Sequence, residues 1–344
     1  MKKIIFNNIE KNLQNSGYTK NKSGFFESGN SGYWSNLDKD ENFKFIELLH
    51  KFTPLEAVRK FIPNQENQIF SEKREAALEL LDITNESICI DYGCMWGVMS
   101  VGMAKRGGIV IAIDQTEESL EFLNARKKYE KLNSLFIVQD DIRKVNLKEI
   151  SDFAVVNGVL EWVPEFGDVE LKKFFGKKMN RDYPTSNPKD VQIDFLKRVK
   201  NNLKDGGKLL ISIENRFDYT QFIGKKDPHV DLLFTSFLPR FLSNAISKLI
   251  LKRPYRNYIY SFKGLKNLIL EAGYKKVDLY MVFPHYHMPE LILPYNSGIN
   301  MYKKYYSLRG VSFKRKIVWT IEYVLMKYLR GKFFSSSIIA IATK

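Results

Sequence analysis

Residues Ile88–Gly107 read ICIDYGCMWGVMSVGMAKRG. An apolar run from Ile88 ends in Asp91. Gly93 and Gly97 follow, and a helix-forming stretch begins near Met99. Strand, glycine turn and helix open a βαβ unit, and the turn lies where nucleotides are held in open α/β sheets.

The same alternation continues outward. Apolar strands are expected at Ser87–Asp91, Gly108–Asp114 (GIVIAID), Ser134–Gln139, Phe153–Asn157, Lys208–Glu214, Lys276–Phe283 and Ser336–Thr343. Helical spacing of apolar residues fills the gaps at Met99–Arg106, Glu117–Leu132, Val191–Leu203 and Phe262–Ala272, with another helix at Asn67–Leu81. Short apolar strands between amphipathic helices specify an α/β fold: a doubly wound, seven-stranded, mostly parallel sheet. Residues 1–66, rich in Asn, Ser and Gly, are expected to form an irregular N-terminal extension with a short helix near Glu41–Lys51. The main domain is then 67–344, with helical insertions at about 215–261 and 284–334. Both follow strand ends, so both fall at the edge where ligands bind.

The turn decides the ligand. A dinucleotide fingerprint G-x-G-x-x-G places glycines where this chain has Met95 and Val98, and no Gly-Lys-Ser/Thr follows for a phosphate loop. What remains is Asp91-x-Gly93-x-x-x-Gly97. A nucleoside without a pyrophosphate suits it. Gly93 allows close backbone approach, Gly97 allows the helix to pack behind the turn, and Asp91 holds the loop or accepts from an ammonium group. The second strand ends in Asp114, placed to accept two ribose hydroxyls. The third ends in Gln139-Asp140-Asp141-Ile142, where Asp141 can accept an adenine amino group and Ile142 can cover the ring. Asp114 before Thr116-Glu117-Glu118 also fits simple helix capping. Three acids at three successive strand ends favour S-adenosylmethionine as the cofactor.

On these residues the region from about Ser71 to Lys344 resembles the class I S-adenosylmethionine-dependent methyltransferases, with a Rossmann-like fold. IDYGCMWG is similar to their glycine-rich motif, with Met95 in place of the middle glycine. VVNGVLEWVPEFGD (Val155–Asp168) is similar to the fourth-strand motif, which implies that Asn157 and Gly158 line the cofactor. IENRFDYTQFIGKKDPH, FLPRFL and RPYRNYIYS resemble a subgroup associated with polysaccharide and glycoside assembly. That resemblance implies methylation of a hydroxyl on a sugar, surface glycan, glycolipid or glycosylated metabolite.

Methyl transfer from a sulfonium needs positioning and, for a hydroxyl acceptor, removal of a proton. Candidate bases are His229 in DPHVD, Glu214 in IEN and Glu161 in LEW. An exposed loop histidine and a helix-start acid are the bland readings of His229 and Glu161. His285 and His287 face the same edge, but two histidines without further ligands make a poor metal pair, and no metal is expected. Trp162 stacks near adenine or simply packs.

The 344 residues carry a formal charge of +15, with 44% hydrophobic and 14% aromatic residues. The positive surplus suits phosphate, an acidic glycan or an anionic membrane surface, or only a solvated Lys-rich exterior. LLFTSFLPRFLSNAISKLILKRPYR and SFKRKIVWTIEYVLMKYLRGK mix apolar and basic residues, as helices do that cap a site or lie on anionic lipid. Nucleic acid as acceptor would use the charge, but NGVLEW lacks the N/D-P-P-Y/F signature of base amino methylation. A non-catalytic binding module is the third possibility, opposed by the retained Asp91, Asp114 and Asp141. Only Cys89 and Cys94 are present, too few for a disulfide framework. MKKIIFNNIEKN has no apolar signal core, and no apolar run approaches the ~20 residues of a span, so a cytoplasmic protein, peripheral at most to the inner membrane face, is expected.

Overall fold

The computed structural model describes residues 2–28, 39–165, 185–296, 313–328 and 331–344. The end of the Val155–Asp168 motif, residues 166–168, lies outside the described residues, as do 297–312 and 329–330 of the second insertion. Strands run β1 Thr19–Lys20, β2 Phe26–Glu27, β3 Ile88–Tyr92, β4 Ile109–Asp114, β5 Leu135–Gln139, β6 Ser151–Asn157, β7 Leu203–Glu214, β8 Lys276–Phe283, β9 Leu291–Pro294 and β10 Ser337–Thr343. Helices are α1 Lys2–Asn15, α2 Lys39–Lys51, α3 Pro54–Phe61, α4 Glu66–Phe70, α5 Val98–Lys105, α6 Glu117–Tyr129, α7 Pro188–Asn202, α8 Arg240–Leu251, α9 Phe262–Glu271 and α10 Phe313–Tyr328.

Among the described residues one sheet has the order β1-β2-β5-β4-β3-β6-β7-β10-β8-β9. The pairs from β2 to β7 are parallel, while β10 runs antiparallel to both β7 and β8. Every residue of β3 and β4 is buried, as a strand covered on both faces requires. Fully burying one isoleucine contributes about 1.5–3 kcal/mol, so these near-continuous apolar runs hold the sheet centre. Strand order reverses beside β3: β4 and β5 lie on one side, β6 and β7 on the other. The carboxyl ends of β3 and β6 therefore flank the switch point where α/β sheets take ligands.

The sheet has ten strands rather than the seven expected from the pattern. β1 and β2 are two residues each, too short to show a period, and β9 lies in a segment expected to be helical. The extension is also more regular than its composition suggests. α1 spans 14 residues and buries Ile9 and Leu13, and β2 joins the main sheet beside β5. The single helix expected at Asn67–Leu81 is broken. The Ser71 side chain accepts from the backbone N–H of Lys73, ending α4 and starting a 3-10 turn over Glu72–Leu80, because a serine hydroxyl competes for backbone donors. β7 begins five residues before the expected Lys208. Leu203 already pairs with Ser151, and an irregularity at Ser151/Phe153 absorbs the DGG stretch within the strand.

Candidate active site

The glycine turn is built by the chain before any ligand is considered. Gly93 has φ +72°, and a Cβ there would lie 2.7 Å from a Val159 methyl. Gly97 has φ +73°, and a Cβ there would press into the Leu123 side chain of α6. Both positions need the left-handed backbone that glycine adopts freely. Met95, where the family motif has glycine, also takes positive φ, at +44°. Its N–H donates to Asp114 Oδ2 at 2.7 Å, which holds the strained residue in place.

A cavity of about 490 Å³ opens at this edge, within the roughly 300–1,000 Å³ of small-molecule sites. Its lining includes, from the ends of β3 to β6, Asp91, Gly93, Asp114, Asp141, Ile142, Asn157 and Gly158, the first arm, and, from the end of β7 and the segment after it, Glu214 and His229, the second arm. Gly97 sits behind the turn against Leu123 instead of facing the cavity. Glu161 is 1% exposed and does not line the cavity, but its Oε1 lies 3.9 Å from Nε2 of the lining His229. The sequence-derived residues thus converge on one recess.

The acids differ in their partners. Asp91 accepts from the Ser100 hydroxyl at 2.5 Å, tying the end of β3 to α5. Burial raises its pKa to about 7, with the Ser100 bond opposing. Asp114 accepts from the backbone N–H groups of Met95 and Thr116, and burial raises its pKa. Each carboxylate oxygen keeps a second lone pair for a ligand hydroxyl. Burial would raise Asp141, but Arg143 outweighs it, donating Nη2–H to Oδ2 at 2.5 Å and Nε–H to Oδ1 at 2.9 Å. Its neighbour Asp140 has a structural task, accepting from the hydroxyls of Tyr18 and Ser28 and so fastening the N-terminal segment over this arm.

The second arm is centred on His229. Its Nδ1 lies 2.9 Å from Asp227 Oδ1, while Nε2 faces Glu161 Oε1 and Glu214 Oε2, each at 3.9 Å. Asp227 Oδ2 in turn accepts from Tyr255 at 3.0 Å and from Thr235 at 3.1 Å. Burial opposes a charge on His229, but Asp227, Glu161 and Glu214 outweigh it and raise the pKa to about 10. Burial, then Glu214, pushes Glu161 up to about 7. Burial would raise Glu214 too, yet His287 and His229 hold it below the usual carboxylate range. Tyr286 donates to Glu214 Oε1 at 3.2 Å, and His287 Nε2 stands 3.8 Å from the same oxygen. The Trp162 ring lies 5.0 Å from the His229 ring, which places it in this arm rather than over Ile142.

Several residues of the site are missing from the sequence reading. Asp227, Tyr255 and Tyr286 orient His229 and Glu214; the short D-P-H spacing was the one available hint for Asp227. Arg74 also lines the cavity, and its Nε is buried without a hydrogen-bond partner. Its place in FSEKREAALELL reads as an ordinary exposed helix position. Gln65, just before α4, and Gln68, within it, also line the cavity.

Residues 90–175 match the family model described as a methyltransferase domain. This stretch, about a quarter of the chain, is similar to a methyltransferase domain. The match begins in β3 and takes in Asp91, the glycine turn, Asp114, Asp141 and Glu161. No curated protein matches the chain. Among solved structures, the chain is similar to Haemonchus contortus phosphoethanolamine N-methyltransferase 2 in complex with S-adenosyl-L-methionine, with 11% identity and TM-score 0.46 over 87% of this chain. The chain spans 60% of that enzyme's length. It is also similar to a methyltransferase from Thermotoga maritima described as a possible histamine N-methyltransferase, with 15% identity and TM-score 0.43, covering 87% of this chain and 99% of that one. Among the described residues, no helix is long and apolar enough to cross a membrane.

Proposed function

We propose that the chain transfers a methyl group from S-adenosylmethionine to a hydroxyl of a small polyhydroxylated acceptor, such as a sugar, surface glycan, glycolipid or glycosylated metabolite. The observation that carries this is one continuous cavity with strand-end acids in one arm and the Glu161–Glu214–His229 cluster in the other. The residues present fit the cofactor. Asp114 offers free lone pairs at the end of β4 for two ribose hydroxyls, and Asp141 with Ile142 offers an acid and an apolar cover for adenine. Asp91, Asn157, Gly158 and Arg74, whose Nε is buried without a hydrogen-bond partner, surround the end suited to an amino acid's ammonium and carboxylate. S-adenosylmethionine supplies a methyl carbon already activated by its sulfonium.

The chain's own work is positioning and proton removal. Asp227 fixes the His229 ring through Nδ1, so that Nε2 faces Glu161, Glu214 and the acceptor. Glu161 Oε2 and Glu214 Oε2, buried without hydrogen-bond partners, are ready acceptors for sugar-type hydroxyls, which supports the substrate class. Residues 1–66 act in this reading as a cap over the cofactor arm. α8 exposes Phe241, Leu249 and Ile250 beside Lys248, which supports peripheral contact with an anionic membrane carrying a lipid-linked acceptor.

Labelled-methyl transfer into a cell-envelope extract and into total RNA tests the reading. Label in a glycan or glycolipid hydroxyl is the expected result. Label in RNA alone, or in amines alone, contradicts the substrate class. S-adenosylhomocysteine binding with no transfer into any extract points to a non-catalytic binding protein.

A further inference from the structure

We infer that Glu161, Glu214 and His229 form a site for a divalent transition-metal ion at the acceptor end of the cavity, with His287 standing beside Glu214. One ligand atom from each of Glu161, Glu214 and His229 lies within 4.8 Å of the others. His229 Nε2 is 3.9 Å from an oxygen of each glutamate, and His287 Nε2 is 3.8 Å from Glu214 Oε1. Ligands bound at about 2.0–2.2 Å from an ion stand roughly 3–3.6 Å apart. The His229–glutamate pairs reach that spacing with contractions of a few tenths of an ångström, and the whole cluster, within 4.8 Å, with shifts of about an ångström.

Two further observations point to a ligand. Glu161 is 1% exposed, and its Oε2 has no hydrogen-bond partner; Glu214 Oε2 is likewise buried and unpartnered. A bare buried acceptor costs about 1–3 kcal/mol unless something satisfies it. The imidazole is also arranged as metal-ligating imidazoles are. Its Nδ1 is occupied by a carboxylate, Asp227, which Tyr255 and Thr235 hold in turn, and Nε2 is turned to the cluster. Two carboxylates and one or two imidazoles suit a borderline ion such as Mn2+ or Zn2+. Two glutamate charges balance the ion's charge.

Glu214, His229 and His287 also line the cavity, so remaining coordination positions face the acceptor. This role rests on the methyl-transfer reading above. An ion held by Glu161, Glu214 and His229 would acidify the acceptor hydroxyl, whose proton would then pass to solvent in place of direct removal by His229. The oxygen's lone pair then forms the bond to the methyl carbon. The carbon–sulfur bond breaks, its electron pair stays on sulfur, and S-adenosylhomocysteine is released.

The test uses the full chain stripped of metal by chelation, titrated separately with Mn2+ and Zn2+ by calorimetry, with Mn2+ also followed by electron paramagnetic resonance. S-adenosylhomocysteine binding is measured on each sample. One equivalent of ion should bind the wild type. Glu161→Gln and His229→Ala should abolish that binding while S-adenosylhomocysteine affinity is retained. Asp227→Asn, which keeps every ligand, should weaken metal affinity about 10–100-fold. Binding of S-adenosylhomocysteine without stoichiometric uptake of either ion overturns the metal site and leaves the methyltransferase reading intact. Metal uptake unchanged in Glu161→Gln and His229→Ala overturns it as well. Metal uptake without S-adenosylhomocysteine binding supports the site and contradicts the methyl-transfer reading.

Discussion

Asp91, Asp114 and Asp141 stand at or just beyond the carboxyl ends of β3, β4 and β5, and each is fixed by a short-range partner: Ser100, the N–H groups of Met95 and Thr116, and Arg143. The facing arm is assembled differently. Glu161 follows β6, Glu214 ends β7, His229 sits in the segment after β7, and His287 follows β8. Its partners come from farther away still, including Tyr255 on the segment between α8 and α9. The first arm is a repeated device of the parallel sheet, one acid per strand end. The second combines two strand-end acids with histidines from segments between the strands, and its convergence depends on those segments.

Substitutions can separate the two arms. Asp114→Ala should have the largest effect. It orphans the buried Thr116 donor and the half-buried Met95 donor, the former costing about 1–3 kcal/mol, and removes the proposed ribose partner. S-adenosylhomocysteine affinity should fall by about 100-fold or more in calorimetry, whereas His229→Ala should leave it within about 3-fold. A comparable loss in both would join the arms into one unit. Gly97→Ala should lower unfolding free energy by about 2–4 kcal/mol in denaturant titration, since it forces a Cβ into the left-handed region and against Leu123. Tyr255→Phe removes one hydrogen bond to the buried Asp227 carboxylate and should cost about 1.5–3 kcal/mol in thermal unfolding. Cofactor affinity should not change; a change there would mean that Tyr255 serves both arms.

Asp91 gives a pH test confined to the first arm. Its pKa is about 7 in the folded chain against an ordinary 3.8. Between those values the folded state binds more protons than the unfolded state, so this group's contribution to stability declines as pH rises from about 4 to 7 and levels off above. Asp91→Asn should flatten that decline by an amount on the order of a few kcal/mol. An unaltered pH profile would mean that Asp91 is ionised throughout. The smallest effect should come from Glu66→Ala. The Arg59–Glu66 pair is 2.8 Å long, but its arginine is more than half exposed, so the loss should fall within the error of denaturant titration.

The contrast between the arms also explains what the sequence made legible. Strand-end acids follow apolar runs, so Asp91, Asp114 and Asp141 announce themselves by position. Glu161, Glu214 and His229 could be named as strand-edge candidates, but not their convergence, because no local period links residue 161 to residue 229. Asp227 looked like a turn residue, and Arg74 like a solvated helix face. β1, β2 and β9 escaped because two to four residues carry no pattern and exist only through their pairing partners. Ser71 was visible as a residue, but its side-chain bond to Lys73, which splits the expected helix, was not.

A crystal structure of the chain soaked with S-adenosylhomocysteine tests the shared cavity most directly. The account predicts ribose hydroxyls within hydrogen-bond distance of Asp114 and a sulfur whose open side points toward Glu161, Glu214 and His229. A ligand bound away from Asp114, or a sulfur turned away from that cluster, would contradict it.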